Sequence, residues 1–216
     1  MTKVALGRYA VPFDRDGSMF FAADAFWHPD ANVIGIARSE HPYDLYPVGA
    51  RDVQAAFRMV QTVLTENVGG LTGTALLRKS LQKVHQGFGE INLREHIAGI
   101  DFHRSPAFPE PVNDPKSRPR VQSILLQLRG QRLSVACVGI FSVYVVRSTE
   151  QELIFGWDWF SHTSAVVEPD LPGAFIWGHM DLPDMPEQES WETEFRSRDL
   201  EVALWETDLE SGDVLV

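Results

Sequence analysis

Residues 133–147 read LSVACVGIFSVYVVR, two short apolar strands that meet at Gly139. In the second, Phe141, Val143 and Val145 alternate with Ser142, Tyr144 and Val146, the period of two that sets one face of a strand against a core. Such a segment commits the chain to a sheet, and the flanking sequence shows what surrounds it. KVALGRYAV alternates, SMFFAAD is short and aromatic, and NVIGIA is bounded by Pro29 and by Ser39 and Glu40; all three read as strands, with a turn at 14–17. In GARDVQAAFRMVQTVLTEN, Val53, Ala56, Phe57, Val60, Val63 and Leu64 recur at steps of three and four, which predicts a helix ended by Gly69 and Gly70. A second helix begins near Leu71 and carries Leu76, Leu77, Leu81, Val84 and Phe88 on one face, with GEINLREHIAGI as a broken continuation. Five prolines between Pro106 and Pro119 mark a loop over 104–120, an ordered crossing or a flexible insertion. VQSILLQLRG and QRLSVACVG flank Gly130 and Gln131 as a hairpin; IFSVYVVRS and QELIFGW follow across Thr149 and Glu150. After a loop rich in proline and acid over 168–189, LEVALWETD and GDVLV read as two more strands. Strands, two consecutive helices, then mostly strands is an α+β order, not the βαβ alternation of a doubly wound sheet.

A chain of 216 residues with 44% hydrophobic residues suits one domain over 1–216 with a sizeable core. Its formal net charge of −11 argues against a nucleic-acid footprint, which wants a basic face, and disfavours an anionic membrane surface. The one cysteine, Cys137, lies within a strand and reads as a small buried hydrophobe; no intrachain disulfide can form, which suits a reducing cytoplasm. The beginning MTKVALGRYAV has no signal-peptide pattern, and no apolar run approaches the roughly 18 residues of a membrane helix. The expectation is a soluble, cytoplasmic protein.

The strand–glycine–strand resembles the central hairpin of the metal-dependent protein phosphatases (PPM family, type 2C), where the run is V-A-N-V-G-D-S-R-A-Y-L-V-R. Gly139, Tyr144 and Arg147 keep the glycine, tyrosine and closing arginine, while Ile140, Phe141 and Ser142 replace the polar D-S-R centre. Other segments follow the family in order. FFAADAF is similar to its V-A-D-G-x-G-G strand, with Asp24 at the metal-bridging aspartate and Ala25 where a glycine carbonyl ligates. GARDVQAAFRMVQTVL is similar to the G-x-x-A-S-x-x-A-V run before the helix pair. VQSILLQLRGQRLSVACVG resembles the G-T-T hairpin, with Ser123 at a threonine position. FSHTSAVV keeps His162 of a D-H-S segment while Ser161 replaces the acid, and LESGDVLV resembles the L-x-P-G-D-x-L-L strand. The likeness spans about residues 17–216. It implies a four-layer α-β-β-α sandwich, two antiparallel sheets flanked by helices, and a hydrolase in which carboxylate-held Mn²⁺ or Mg²⁺ ions activate a bridging water.

Hard cations need several oxygen ligands, and here the likeness thins. Twenty residues before Asp24, where the family has an N-E-D aspartate, stands Val4, and Asp14 and Asp16 are too close in sequence to match. The family's S-D-G and D-N aspartates fall past its G-D-x-L-L strand, beyond Val216. A chain stopping in an apolar strand reads as a fragment of a longer protein, or as a fold that has shed its catalytic half. Asp24 is then the one family-matched metal candidate, against the plainer reading of a strand-end turn residue. His28 and Asp30, flanking Pro29, are further candidates to replace lost ligands, against the plainer reading of an extended polar loop. Asp158, among Trp157, Trp159 and Phe160 and close to His162, marks a candidate ligand pocket, against packing over a sheet edge. His85, Glu90, Glu95, His96, Asp101 and His103 crowd one stretch without the H-E-x-x-H spacing of a helical zinc site, and read as a solvated helix end.

The leading expectation is therefore a catalytically degenerate phosphatase-like protein that binds a protein partner or phosphoprotein, with no cofactor and no assignable catalytic residue. The alternatives are an active Mn- or Mg-dependent phosphoserine/phosphothreonine phosphatase seen as a truncated chain, and an assembly subunit using the edge of the GDVLV strand.

Overall fold

Among the described residues ten strands and two helices occur, in the predicted order except that β8 was not anticipated: β1 (Ala10–Pro12), β2 (Met19–His28), β3 (Val33–Pro42), α1 (Tyr46–Glu66), α2 (Gly73–Ile97), β4 (Gln122–Arg129), β5 (Arg132–Val138), β6 (Ser142–Arg147), β7 (Glu150–Asp158), β8 (Thr163–Ala165), β9 (Ala203–Asp208) and β10 (Val214–Leu215). This computed structural model describes residues 10–12, 19–42, 46–97, 121–139, 141–147, 150–158, 163–165, 200 and 202–216. The loop expected over 104–120 lies outside the described residues.

The strands form two antiparallel sheets, one ordered β1-β2-β3-β4-β5-β9 and one ordered β10-β6-β7-β8. Side-chain alternation then divides the core in two. From the first sheet, Phe26, Val33, Ala37, Leu125, Ala136 and Val138 meet α1 and α2 through Val53, Ala56, Phe57, Val60, Val63, Leu64, Leu76, Leu77, Leu81, Val84 and Phe88. Every apolar helix position anticipated from periodicity is buried there. From the opposite face, Ile124, Leu126, Leu133, Val135 and Cys137 meet Val143, Val145 and Phe155 of the second sheet. Helices, sheet and sheet are thus three stacked layers; the outer helical layer expected over the second sheet is not among the described residues.

Three expectations are corrected. First, residues 133–147 do not form a hairpin: β5 belongs to one sheet and β6 to the other. Gly139 carries the crossing at φ +101°, and a Cβ there would lie 2.6 Å from Cβ and Cγ of Gln122. Glycine fits both the left-handed backbone and the close approach. Second, α2 continues unbroken through Ile97. Within it Gly87 packs against Met59 of α1, whose sulfur would lie 2.6 Å from a Cβ. Third, β2 and β3 are longer than SMFFAAD and NVIGIA, pairing over their whole length from Met19↔Pro42 to His28↔Val33. Their connection is a tight turn in which the Asn32 amide donates to the Pro29 carbonyl at 3.1 Å. Asn32 takes a positive φ of 50°, which asparagine tolerates well. The β4–β5 hairpin over Gly130 and Gln131 is as expected, with Arg129 opposite Arg132.

Candidate functional site

Asp24 lies mid-strand in β2, between Ala22 and Phe26 on the face that α1 covers, so it is not a strand-end turn residue. It is 9% exposed. A carboxylate so enclosed needs hydrogen-bond donors, and it has them. The Ala25 amide donates to Oδ1 at 2.8 Å, and Gln54 Nε2, from α1, donates to Oδ2. Gln54 carried no sequence signal. His28 is on the same face four residues on, a rise of roughly 13 Å along a strand. Its Nε2 is 3.2 Å from Thr65 Oγ1 of α1, and its Nδ1 accepts from the Ala31 amide at 3.3 Å. Asp30 is exposed in the turn. The fold therefore places Asp24 and His28 at two separate points along α1. Asp158 ends β7, and His162 lies outside the described residues. His85 and Glu90 lie on α2; Asp101 and His103 are outside the described residues.

At the sheet crossing, Phe141 packs partly buried against the inter-sheet core, and the Arg38 guanidinium of β3 lies over its ring, 5.2 Å from the centroid. Arg38 Nε donates to Gln122 Oε1 at 2.7 Å. Beneath them Cys137 is buried, its Sγ 3.4 Å from the Gly139 carbonyl, and burial pushes its thiol pKa well up, leaving an inert thiol. At the far end of β6, Arg147 grips Asp213 as a fork, Nε to Oδ1 at 2.8 Å and Nη2 to Oδ2 at 3.0 Å. Asp213 Oδ2 also accepts from the Glu210 amide at 2.9 Å, closing the turn before β10. The two most diagnostic motifs of the sequence, the closing arginine and the G-D-x-L strand, are thus joined by one ion pair.

A cavity of about 690 Å³ opens at the start of α2, lined by Thr72, Gly73, Thr74, Arg129, Arg132, Ser134 and Glu206 among others. Its polar groups serve the helix. Gln127 accepts from the Gly73 amide at 2.6 Å, and Glu206 accepts from Ser134 at 2.9 Å, from Arg132 at 3.0 Å and from the Thr74 amide at 3.5 Å. A carboxylate at this end also complements the helix dipole.

No family model and no curated protein matches the chain. Among solved structures it is similar to the Mycobacterium tuberculosis serine/threonine phosphatase PstP/Ppp, with a TM-score of 0.50 and 13% identity over 91% of this chain and 76% of that one. The chain has the fold of a type-2C phosphatase. The catalytic domain of PstP in complex with two manganese ions is also similar, with a TM-score of 0.49 and 12% identity over 91% and 75% of the two chains. So is PppA, a key regulatory component of T6SS in Pseudomonas aeruginosa, with a TM-score of 0.46 and 16% identity over 90% and 74%.

The resemblance in sequence implies a pair of divalent ions, and no cluster of ligands for one is found among the described residues. Asp24 is met by two N–H donors, Asp213 by a guanidinium, and among the described residues no three His, Cys, Asp or Glu side chains converge. Asp52, a second buried acid that sequence reasoning passed over, sits on α1 with Oδ1 3.7 Å from Arg51 Nε. No described helix is long and apolar enough to cross a membrane.

The acids that are paired have a measurable consequence. Ser134 first and then Arg132 hold the Glu206 carboxyl below its ordinary range, and Arg147 does the same for Asp213. A carboxyl depressed in the folded state stabilises above its unfolded pKa, and that stabilisation disappears as pH falls through the folded value, because the unfolded chain then binds more protons. Urea midpoints should hold from about pH 7 to about pH 5 and fall toward about pH 3. Asp213→Asn should be less stable at neutral pH and lose part of that slope; a curve parallel to wild type would show that the pair does not contribute.

Proposed function

We propose that this chain is a recognition protein on the phosphatase fold, binding a protein partner or phosphoprotein without hydrolysing phosphate. One observation carries the proposal. Where the resemblance has the polar D-S-R centre, this chain places Phe141 under the Arg38 guanidinium, which Gln122 steadies at 2.7 Å. A fixed guanidinium attracts anions and repels divalent cations at short range. Such a surface binds carboxylate or phosphate groups and lacks the means to activate a water on a metal.

The test is an aryl-phosphate turnover assay in Mn²⁺ and in Mg²⁺, with a phosphoserine peptide as a second substrate. We expect no metal-dependent release of phosphate from either compound by folded protein. Turnover that rises with Mn²⁺ would sink the proposal and establish an active phosphatase.

A further inference from the structure

We infer that Asp24 fastens α1 to β2 through Gln54 and holds no divalent ion. The inference deepens the recognition reading at the one acid that the family resemblance puts forward as a ligand. Asp24 points into the helix–sheet layer, on the strand face shared with Phe26, whose ring meets Phe57 of α1 edge-on at 4.9 Å between centroids. That contact and the Asp24–Gln54 hydrogen bond lie side by side and tie the same helix to the same strand. A charged acceptor enclosed at this depth is held by donors that face it, here the amide of its own neighbour Ala25 and the side-chain amide of Gln54. Gln54 reaches it from an exposed position of α1, and the bond itself is part-buried. A metal pair in this place would need further oxygens around Asp24. The other candidate from the same strand, His28, is engaged by Thr65 and the Ala31 amide a full helical stretch away. Amide N–H groups therefore stand where the family resemblance would put cations.

The test is a double-mutant cycle by thermal unfolding, run with and without Mn²⁺ chloride. Gln54→Ala should lower the melting midpoint by about 3–12 °C in the otherwise native chain, by the strength of a hydrogen bond to a charged group. In an Asp24→Ala background the same substitution should change it by less than about 1 °C, since the partner is gone. Should Asp24→Ala fail to fold, Asp24→Asn keeps the volume, and the effect of Gln54→Ala should fall at least by half there. Mn²⁺ alone should leave the native midpoint unchanged. Equal effects of Gln54→Ala in both backgrounds would overturn the inference, as would a Mn²⁺-dependent rise of the native midpoint that disappears in Asp24→Asn. Mn²⁺-dependent phosphate release that survives Asp24→Asn would overturn the recognition reading instead and leave this inference standing.

Discussion

Replacing Gly156 by alanine should be among the most damaging single changes to this protein. Gly156 stands opposite Ser142 in the β6–β7 ladder, at φ +94°. A Cβ there would lie 1.9 Å from the Phe141 carbonyl oxygen and 2.9 Å from its carbonyl carbon. Those are backbone atoms at the start of β6, immediately after the chain has crossed between sheets, and Ser142 is already fixed by its ladder partner. No flexible side-chain end is available to yield. The left-handed backbone alone costs an L-residue about 1–3 kcal/mol, and relief of the clash must break pairing at the head of β6, for a total above about 3 kcal/mol. Against a stability of about 5–15 kcal/mol for a domain of this kind, that is a large share. Gly70→Ala is the control. Its φ is not positive, and its Cβ would meet only the Asn67 carbonyl oxygen at an ordinary 3.5 Å. Urea midpoints should separate the two variants clearly. If Gly156→Ala unfolds together with Gly70→Ala, then β6 and β7 do not hold the geometry described.

The helices were the most legible part of the chain, because one face of each is continuously apolar. Val53 through Leu64 and Leu76 through Phe88 all reach the core that their spacing anticipates. The hairpin over Gly130 and Gln131 was legible for the same local reason, a two-residue glycine turn between alternating strands. Periodicity reports which residues share a face, however, and not which sheet a strand joins. Gly139 therefore read as a hairpin although it carries the chain from one sheet to another. The candidate site was harder still, because its contacts span long stretches of sequence. Asp24 was visible as a candidate acid, but its partner Gln54 is 30 residues away and chemically unremarkable in a helix pattern. Glu206 looked like the polar side of a strand; its role at the start of α2 joins residues 132 apart. Arg38 gained meaning only when the fold put it over Phe141. Asp158 and His162, read from an aromatic cluster, are not brought together by any described contact, His162 lying outside the described residues.

The second large effect concerns whether the two halves of the core form one folding unit, as the expectation of a single domain requires. Phe88 lies on the apolar face of α2 and is 1% exposed in the helix–sheet core. Truncation to alanine removes most of a buried ring and leaves a cavity, a loss of about 3–5 kcal/mol. Phe155, equally buried, does the same work in the core between the sheets, where its ring lies 6.2 Å from that of Trp205. The two rings sit on opposite faces of the six-stranded sheet, so neither substitution opens a cavity in the other's core. In a single cooperative domain, both variants shift one common transition, and far-UV circular dichroism and tryptophan fluorescence report the same midpoint for each. Lys83→Ala, at an exposed position of α2, should stay within about 0.5 kcal/mol of wild type. If Phe88→Ala instead splits the transition, with the fluorescence midpoint unmoved while the helical signal melts early, the helix layer folds apart from the paired sheets. The expected coincidence follows from β4 and β5. Their Leu125 and Ala136 belong to one core while Ile124, Val135 and Cys137 belong to the other, so neither core can open without disturbing strands that the other needs.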